Sequence, residues 1–158
     1  MIKKHIKTII ITSILTLAPM IVGIVLWDKL PMEIPTHFGL NNQPDGYSSK
    51  AFAVFGIPLM MLAMHIVCIF ETNLDPKKKG LNDKVFTLVL YIIPAVSLMI
   101  CTMIYPVALG KDVQAGLIAM LFLGFIFTIT GNYFPKCKQS YTVGIKLPWT
   151  LEDSENWN

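Results

Sequence analysis

An all-α membrane protein with four transmembrane helices is the fold class this sequence predicts, on three observations. Of its 158 residues 54% are hydrophobic and 15% charged, and the mean hydropathy is +0.59, which is not the balance of a soluble domain. Four segments, residues 8–27, 51–70, 85–109 and 113–134, reach the roughly 20 apolar residues that cross about 30 Å of hydrocarbon. Between the first two lies a contrasting stretch, PMEIPTHFGLNNQPDGYSSK at residues 31–50, polar and rich in turn formers. The spans must be helical, because hydrocarbon offers backbone groups no partner and four segments of this length do not close a barrel. A soluble bundle would need a broad polar face on each helix, and these runs have none.

The first span follows a basic start, MIKKHIK. A cleaved signal peptide is the alternative, but the apolar run exceeds a signal core and Leu26-Trp27-Asp28-Lys29 is no small-residue cleavage site. Trp27 suits a headgroup interface. Lysine placement predicts orientation: with the N-terminus inside, ten of the thirteen lysines face the cytoplasm and only Lys29, Lys50 and Lys111 face outward. The expected topology is therefore N-in and C-in. Residues 1–134 form the membrane domain with an outer loop at 28–50, and residues 135–158 form a cytoplasmic tail. In the second span Pro58 predicts a kink. His65 is an ionisable group at depth, either a functional residue or a neutral ring bonded to a Ser, Thr or carbonyl of the bundle.

The 71–84 connection, with its turn at Asp75-Pro76 and three successive lysines, reads as a solvated anchor that also attracts anionic lipid. The third span is expected to break at Pro94 and Pro106. The fourth carries Ala115 and Ala119 as a small-residue contact pair. The tail alternates apolar and polar residues over 141–146. Thr150 and Asp153 resemble a helix start, with Glu152, Asp153 and Glu155 suited to its N-terminus, and Trp149 and Trp157 suggest that this short helix lies at the membrane face. The chain ends a few residues later, so the natural protein could be longer.

Catalytic motifs are absent: there is no GxSxG, HExxH or phosphate-binding glycine loop, and no cysteine pair suited to zinc. No cofactor is implied and no enzyme activity is expected. All basic residues are lysine, which disfavours bidentate phosphate recognition, and no direct nucleic-acid contact is expected. The outer loop is where ligand-type groups converge. Glu33, His37 and Asp45 are the weak candidates for a metal site, although Pro35 argues against the helix that would put Glu33 and His37 on one face. The alternative is a folded loop in which His37 and Asp45 bond to backbone, with turns at Asn41-Asn42 and Pro44-Asp45-Gly46.

Two stretches carry a resemblance. IPTHFGLNNQPDGYSSK is similar to the loop pattern IPxHFxxxGxPDGxxxK of a bacterial membrane domain of uncharacterised function, and GNYFPKCKQSYTVGIKLPWTLEDSENW resembles the signature of the SdpI family. With the four spans this resemblance covers nearly the whole chain. The loop pattern falls on Pro35, His37, Phe38, Pro44, Asp45, Gly46 and Lys50. The tail signature falls on Gly131, Asn132, Pro135, Lys136, Gly144, Pro148, Trp149 and Thr150. Asn42 departs from the pattern, which usually has glycine there. The full SdpI type also has two further helices after the tail motif, which leaves open a truncated chain.

What the resemblance implies is an immunity protein of the bacterial plasma membrane that protects against, and senses, a secreted antimicrobial peptide toxin. It also implies a relay of toxin presence to a cytosolic transcriptional repressor. A small membrane scaffold or assembly subunit of a transporter is the alternative reading, and a metal-binding membrane protein a minor one. On either of the first two, the loop residues His37, Pro44, Asp45, Gly46 and Lys50 bind a ligand or hold the loop in shape.

Overall fold

The computed structural model describes residues 1–77, 81–133, 135, 137, 139–152 and 157. The chain is mostly helical: α1 (Ile2–Val25), a 3₁₀ turn (Trp27–Lys29), strands β1 (Glu33–Phe38) and β2 (Pro44–Ser49), a π turn (Phe52–Gly56), α2 (Ile57–Leu74), α3 (Asp83–Ala108), α4 (Ala115–Tyr133) and the short α5 (Pro148–Glu152). Among the described residues four helices are long and apolar enough to cross a membrane: Ile2–Val25, Phe52–Leu74, Asp83–Ala108 and Ala115–Tyr133. Connectivity puts the β-hairpin at one end of the bundle, with the α3–α4 turn. The chain start, the α2–α3 turn and the tail lie at the other.

Proline acts differently from the expectation. Neither Pro94 nor Pro106 breaks α3, which runs unbroken over both. Each removes one amide, a loss that helices packed in a membrane tolerate, and Pro94 is itself buried. Pro58 stands in the first turn of α2, directly after the π turn. The chain is already helical before it, and the helix widens into the π turn just ahead of the proline that lacks an N–H. The first helix also starts earlier than the hydropathy suggests, at Ile2, with one non-helical residue at His5. Lys4 and His5 reach Asp83 at the start of α3, the latter at 3.0 Å, and His5 packs edge-on to Phe86.

Within the bundle α1 turns a face of small and polar residues inward: Thr12, Thr16, Pro19 and Gly23, at helical spacing, are its buried positions. In hydrocarbon there is no hydrophobic drive between helices, so close approach and hydrogen bonds hold them together. Three bonds tie this face to its neighbours. Thr12 Oγ1 lies 2.9 Å from the Thr8 carbonyl and shares a hydrogen bond with His65 Nε2 at 3.0 Å. Ser97 Oγ donates to the Thr16 carbonyl at 2.9 Å, and Tyr105 OH to the Pro19 carbonyl at 3.0 Å. His65, 1% exposed, thus lies between α1 and α2 rather than toward lipid.

The fourth helix is different. Ala115 is its only buried residue among those described, and nothing lies within 4 Å of a Cβ built on Gly124 or Gly131. It leans on α3 and leaves a slot between them.

Candidate functional site

The folded loop expected at residues 31–50 is an antiparallel hairpin. The register pairs Glu33 with Ser49, Ile34 with Ser48, Pro35 with Tyr47, His37 with Gly46 and Phe38 with Pro44, with irregularities on either side of His37. The hairpin is anchored by burying Ile34 at 0% exposure, together with Leu30, against Ala53, Val54, Ile104 and Tyr105. Thr36 Oγ1 and Ser48 Oγ, 2.9 Å apart, link the strands. Two bulky apolar residues on the bundle side therefore set the register, and a slip of one residue would turn Ile34 out.

His37 and Asp45 face each other on the exposed side. The imidazole Nδ1 and Asp45 Oδ1 are 2.5 Å apart, and the two side chains are 74% and 53% exposed. Gly46 makes the pairing possible: a Cβ there would stand 2.9 Å from His37 Cβ. Glu33 does not join them. It sits four residues along β1, roughly 13 Å away at strand rise, and among the described residues no three His, Cys, Asp or Glu side chains converge as metal ligands.

Lys50 faces inward instead. Its Nζ donates to the Trp27 carbonyl at 3.1 Å and lies 5.0 Å from the Trp27 ring centroid, while its amide donates to the Met32 carbonyl. It clamps the hairpin base to the end of α1. Pro44 opens β2 opposite Phe38, a place where no ladder amide is lost.

The departure at Asn42 has a structural meaning. Asn42 is the one non-glycine with positive φ, 62°, among the described residues, so glycine and asparagine are the residues suited to this tip. Its amide does more than glycine could. Oδ1 accepts the Gly116 N–H at 2.9 Å and Nδ2 donates to the Val113 carbonyl at 3.1 Å. The hairpin tip thereby caps α4 from 74 residues away. Replacing a cap asparagine costs about 1 kcal/mol, so Asn42→Gly should lower thermal stability in detergent modestly. Asn42→Ala should lower it further, since alanine adds left-handed strain.

At the opposite end a buried carboxylate organises the tail. Asp75, 3% exposed, accepts from Ser140 Oγ at 2.6 Å, Tyr141 N at 2.9 Å, Thr142 N at 3.0 Å and Thr142 Oγ1 at 2.9 Å through Oδ2, and from Lys77 N at 2.7 Å through Oδ1. Burial alone would raise its pKa. The hydrogen bonds from Ser140, Lys77, Thr142 and Tyr141 outweigh that and hold it below the usual carboxylate value.

Residues 141–146 are not a strand: the Tyr141 and Thr142 amides turn toward Asp75 and the Val143 amide toward Ser140 Oγ. Lys77 Nζ donates to Gln139 Oε1, and Gln139 Nε2 donates to the Thr150 and Leu151 carbonyls at 2.9 and 2.7 Å. Gly144 has φ 124° and passes the Trp157 ring so closely that a Cβ would lie 2.4 Å from it. Trp157 Nε1 donates to the Cys137 carbonyl at 2.7 Å.

The short helix begins at Pro148, two residues before the expected start, with proline at a position whose amide is unneeded. Thr150 lies inside it, and its hydroxyl oxygen accepts the Leu147 amide at 2.9 Å. Trp149 is exposed and Asn132 lies in the last turn of α4. Lys136, Asp153 and Glu155 lie outside the described residues. Asp75 was not among the expected site residues. An Asp-Pro pair reads as a turn, and its partners in the tail are 65 or more residues away.

A family model described as a domain of unknown function, DUF1648, matches residues 14–62, from the second half of α1 through the hairpin into α2. The immunity protein SdpI of Bacillus subtilis is 31% identical over 98% of this chain and 71% of its own length. The chain belongs to the SdpI family. With its four apolar helices, this SdpI-family member is a multi-pass protein of the cytoplasmic membrane. No solved structure matches it.

Proposed function

We propose that this protein is a membrane immunity protein that protects its cell against a secreted antimicrobial peptide. The observation that carries this reading is the 31% identity with an immunity protein across 98% of the chain. The lysine distribution supports an N-in, C-in orientation, with the hairpin outward and the tail in the cytoplasm. On this reading the exposed His37–Asp45 pair is the recognition feature. Pro44, Gly46 and Lys50 hold the hairpin in shape, and His65 ties helices together. The tail folded on Asp75 is the element that relays toxin binding to a cytosolic repressor.

Expression in a toxin-sensitive cell tests the proposal, with survival scored against toxin concentration and membrane abundance measured in parallel. The intact chain should raise the tolerated concentration. His37→Ala or Asp45→Ala should reduce that gain on the order of tenfold, the loss of about 1.4 kcal/mol of binding, at unchanged abundance. Gly46→Ala should reduce abundance itself, because its Cβ collides with His37. No gain in survival from a chain confirmed in the membrane refutes the immunity reading. Loss of abundance in the His37 and Asp45 variants would favour a structural hairpin.

A further inference from the structure

The tail end of the bundle holds a recess with polar and apolar parts that none of the roles above uses. A cavity of about 370 Å³ lies between α2, α3, α4 and the tail, with Val85, Leu88 and Ile92 among its walls and Glu71 and Lys146 also lining it. Glu71, Thr142 and Lys146 also line the shallower depression beside Asp75, so they stand at the mouth. Leu88, Ile92 and Thr130 are shared with an apolar slot of about 130 Å³ between α3 and α4, walled further in by Ala95, Phe122 and Phe125.

Shape limits what enters. The slot follows α3 from Leu88 to Ala95 and α4 from Thr130 to Phe122, roughly 10–12 Å at 1.5 Å per residue. That is most of one leaflet of a hydrocarbon core about 30 Å thick. A helix of that length and about 10 Å diameter would displace on the order of 900 Å³, about twice the whole empty space of the slot, about 440 Å³. A single extended hydrocarbon chain fits.

Charge at the mouth limits the headgroup. Glu71 has no ion pair among the described residues, and Lys146 has one long contact, 3.5 Å to the Thr142 carbonyl. A carboxylate and an ammonium at one mouth match a ligand carrying both charges, a cation for Glu71 and a phosphate for Lys146. A purely anionic headgroup would meet the Glu71 carboxylate. A choline headgroup has the cation but no N–H to donate.

We propose that this recess binds one phospholipid with an ethanolamine headgroup, one acyl chain lying in the α3–α4 slot and the headgroup bridging Glu71 and Lys146. Native mass spectrometry of the delipidated 158-residue chain, titrated with phosphatidylethanolamine, phosphatidylcholine and phosphatidylglycerol of identical acyl chains, tests it. One phosphatidylethanolamine should be retained per chain, at least tenfold more tightly than either other lipid. Glu71→Gln, at an exposed position, should erase that preference, and Ala95→Leu, which narrows the slot, should weaken all three. Equal retention of the three lipids, an undiminished preference in Glu71→Gln, or unchanged retention in Ala95→Leu would overturn the proposal. So would a dimer mass in place of a bound lipid, which would mean that a second copy covers the recess.

Discussion

Asp75→Ala should release the tail from the bundle while leaving the helices folded. The substitution strips acceptors from the amides of Lys77, Tyr141 and Thr142 and from the hydroxyls of Ser140 and Thr142. Each buried donor left unpaired costs about 1–3 kcal/mol, so even two of them threaten a segment whose docking depends on this carboxylate. Hydrogen exchange at Tyr141, Thr142 and Val143 should accelerate by at least a hundredfold, with helical circular dichroism nearly unchanged. Asp75→Asn should give a smaller acceleration, since it keeps an acceptor oxygen but loses the charge that roughly doubles such bonds. Unchanged exchange in Asp75→Ala would mean that the tail is held by other contacts, chiefly Gln139 and Trp157.

The same carboxylate sets the pH response. Its pKa is lower in the folded protein than in the unfolded chain, so its contribution is fully present above the unfolded value, about 3.9. It fades only as pH falls through the lower folded value. Tail protection attributable to Asp75 should thus stay flat from neutral pH to about 5 and decline only in stronger acid. A decline beginning near pH 6 would point to a histidine instead.

Gly23→Ala should be the most damaging single-methyl change inside the bundle. A Cβ at this position would sit 2.6 Å from Tyr105 Oη and 2.7 and 2.8 Å from the two γ-methyls of Val54. Neither neighbour can yield easily: Val54 is fully buried in the π turn, and Tyr105 is held by its bond to the Pro19 carbonyl. Overpacking of this kind costs about 1–3 kcal/mol, and a displaced Tyr105 hydroxyl adds about 1 kcal/mol more. The melting temperature in detergent should fall by about 4–16 °C on the scale of 2–4 °C per kcal/mol. Gly124→Ala on α4, with nothing within 4 Å, should be neutral or slightly stabilising through helix propensity. Tyr105→Phe in the Gly23→Ala background should recover part of the loss, because it removes the nearest atom. Equal melting temperatures for Gly23→Ala and Gly124→Ala would refute tight packing of α1 against α3 at this level.

The sites were unequally visible in the sequence. His37, Asp45 and Gly46 stood out as chemistry-bearing residues in a turn-rich interval, and the hairpin does bring His37 opposite Gly46 and against Asp45. Lys50 stood out equally but turns to the Trp27 carbonyl, an orientation that depends on where α1 ends. The alternation over 141–146 does not report that the Tyr141 and Thr142 amides serve a carboxylate far away in sequence. Pro94 and Pro106 pointed to breaks because sequence reasoning counts the lost amide and not the neighbouring helices among which α3 continues unbroken.

By itself, the sequence determined the four spans, the polar interval between the first two and the asymmetry of the lysines. These follow from transfer energies and from backbone groups that hydrocarbon cannot satisfy, which act residue by residue and need no partner. Only the tertiary structure decided that the interval is a hairpin with Ile34 inward, that Asn42 caps α4, that His65 meets Thr12 and that Asp75 gathers the tail. Those outcomes rest on directional bonds between residues distant in the chain, whose partners are known only once the helices have been set side by side.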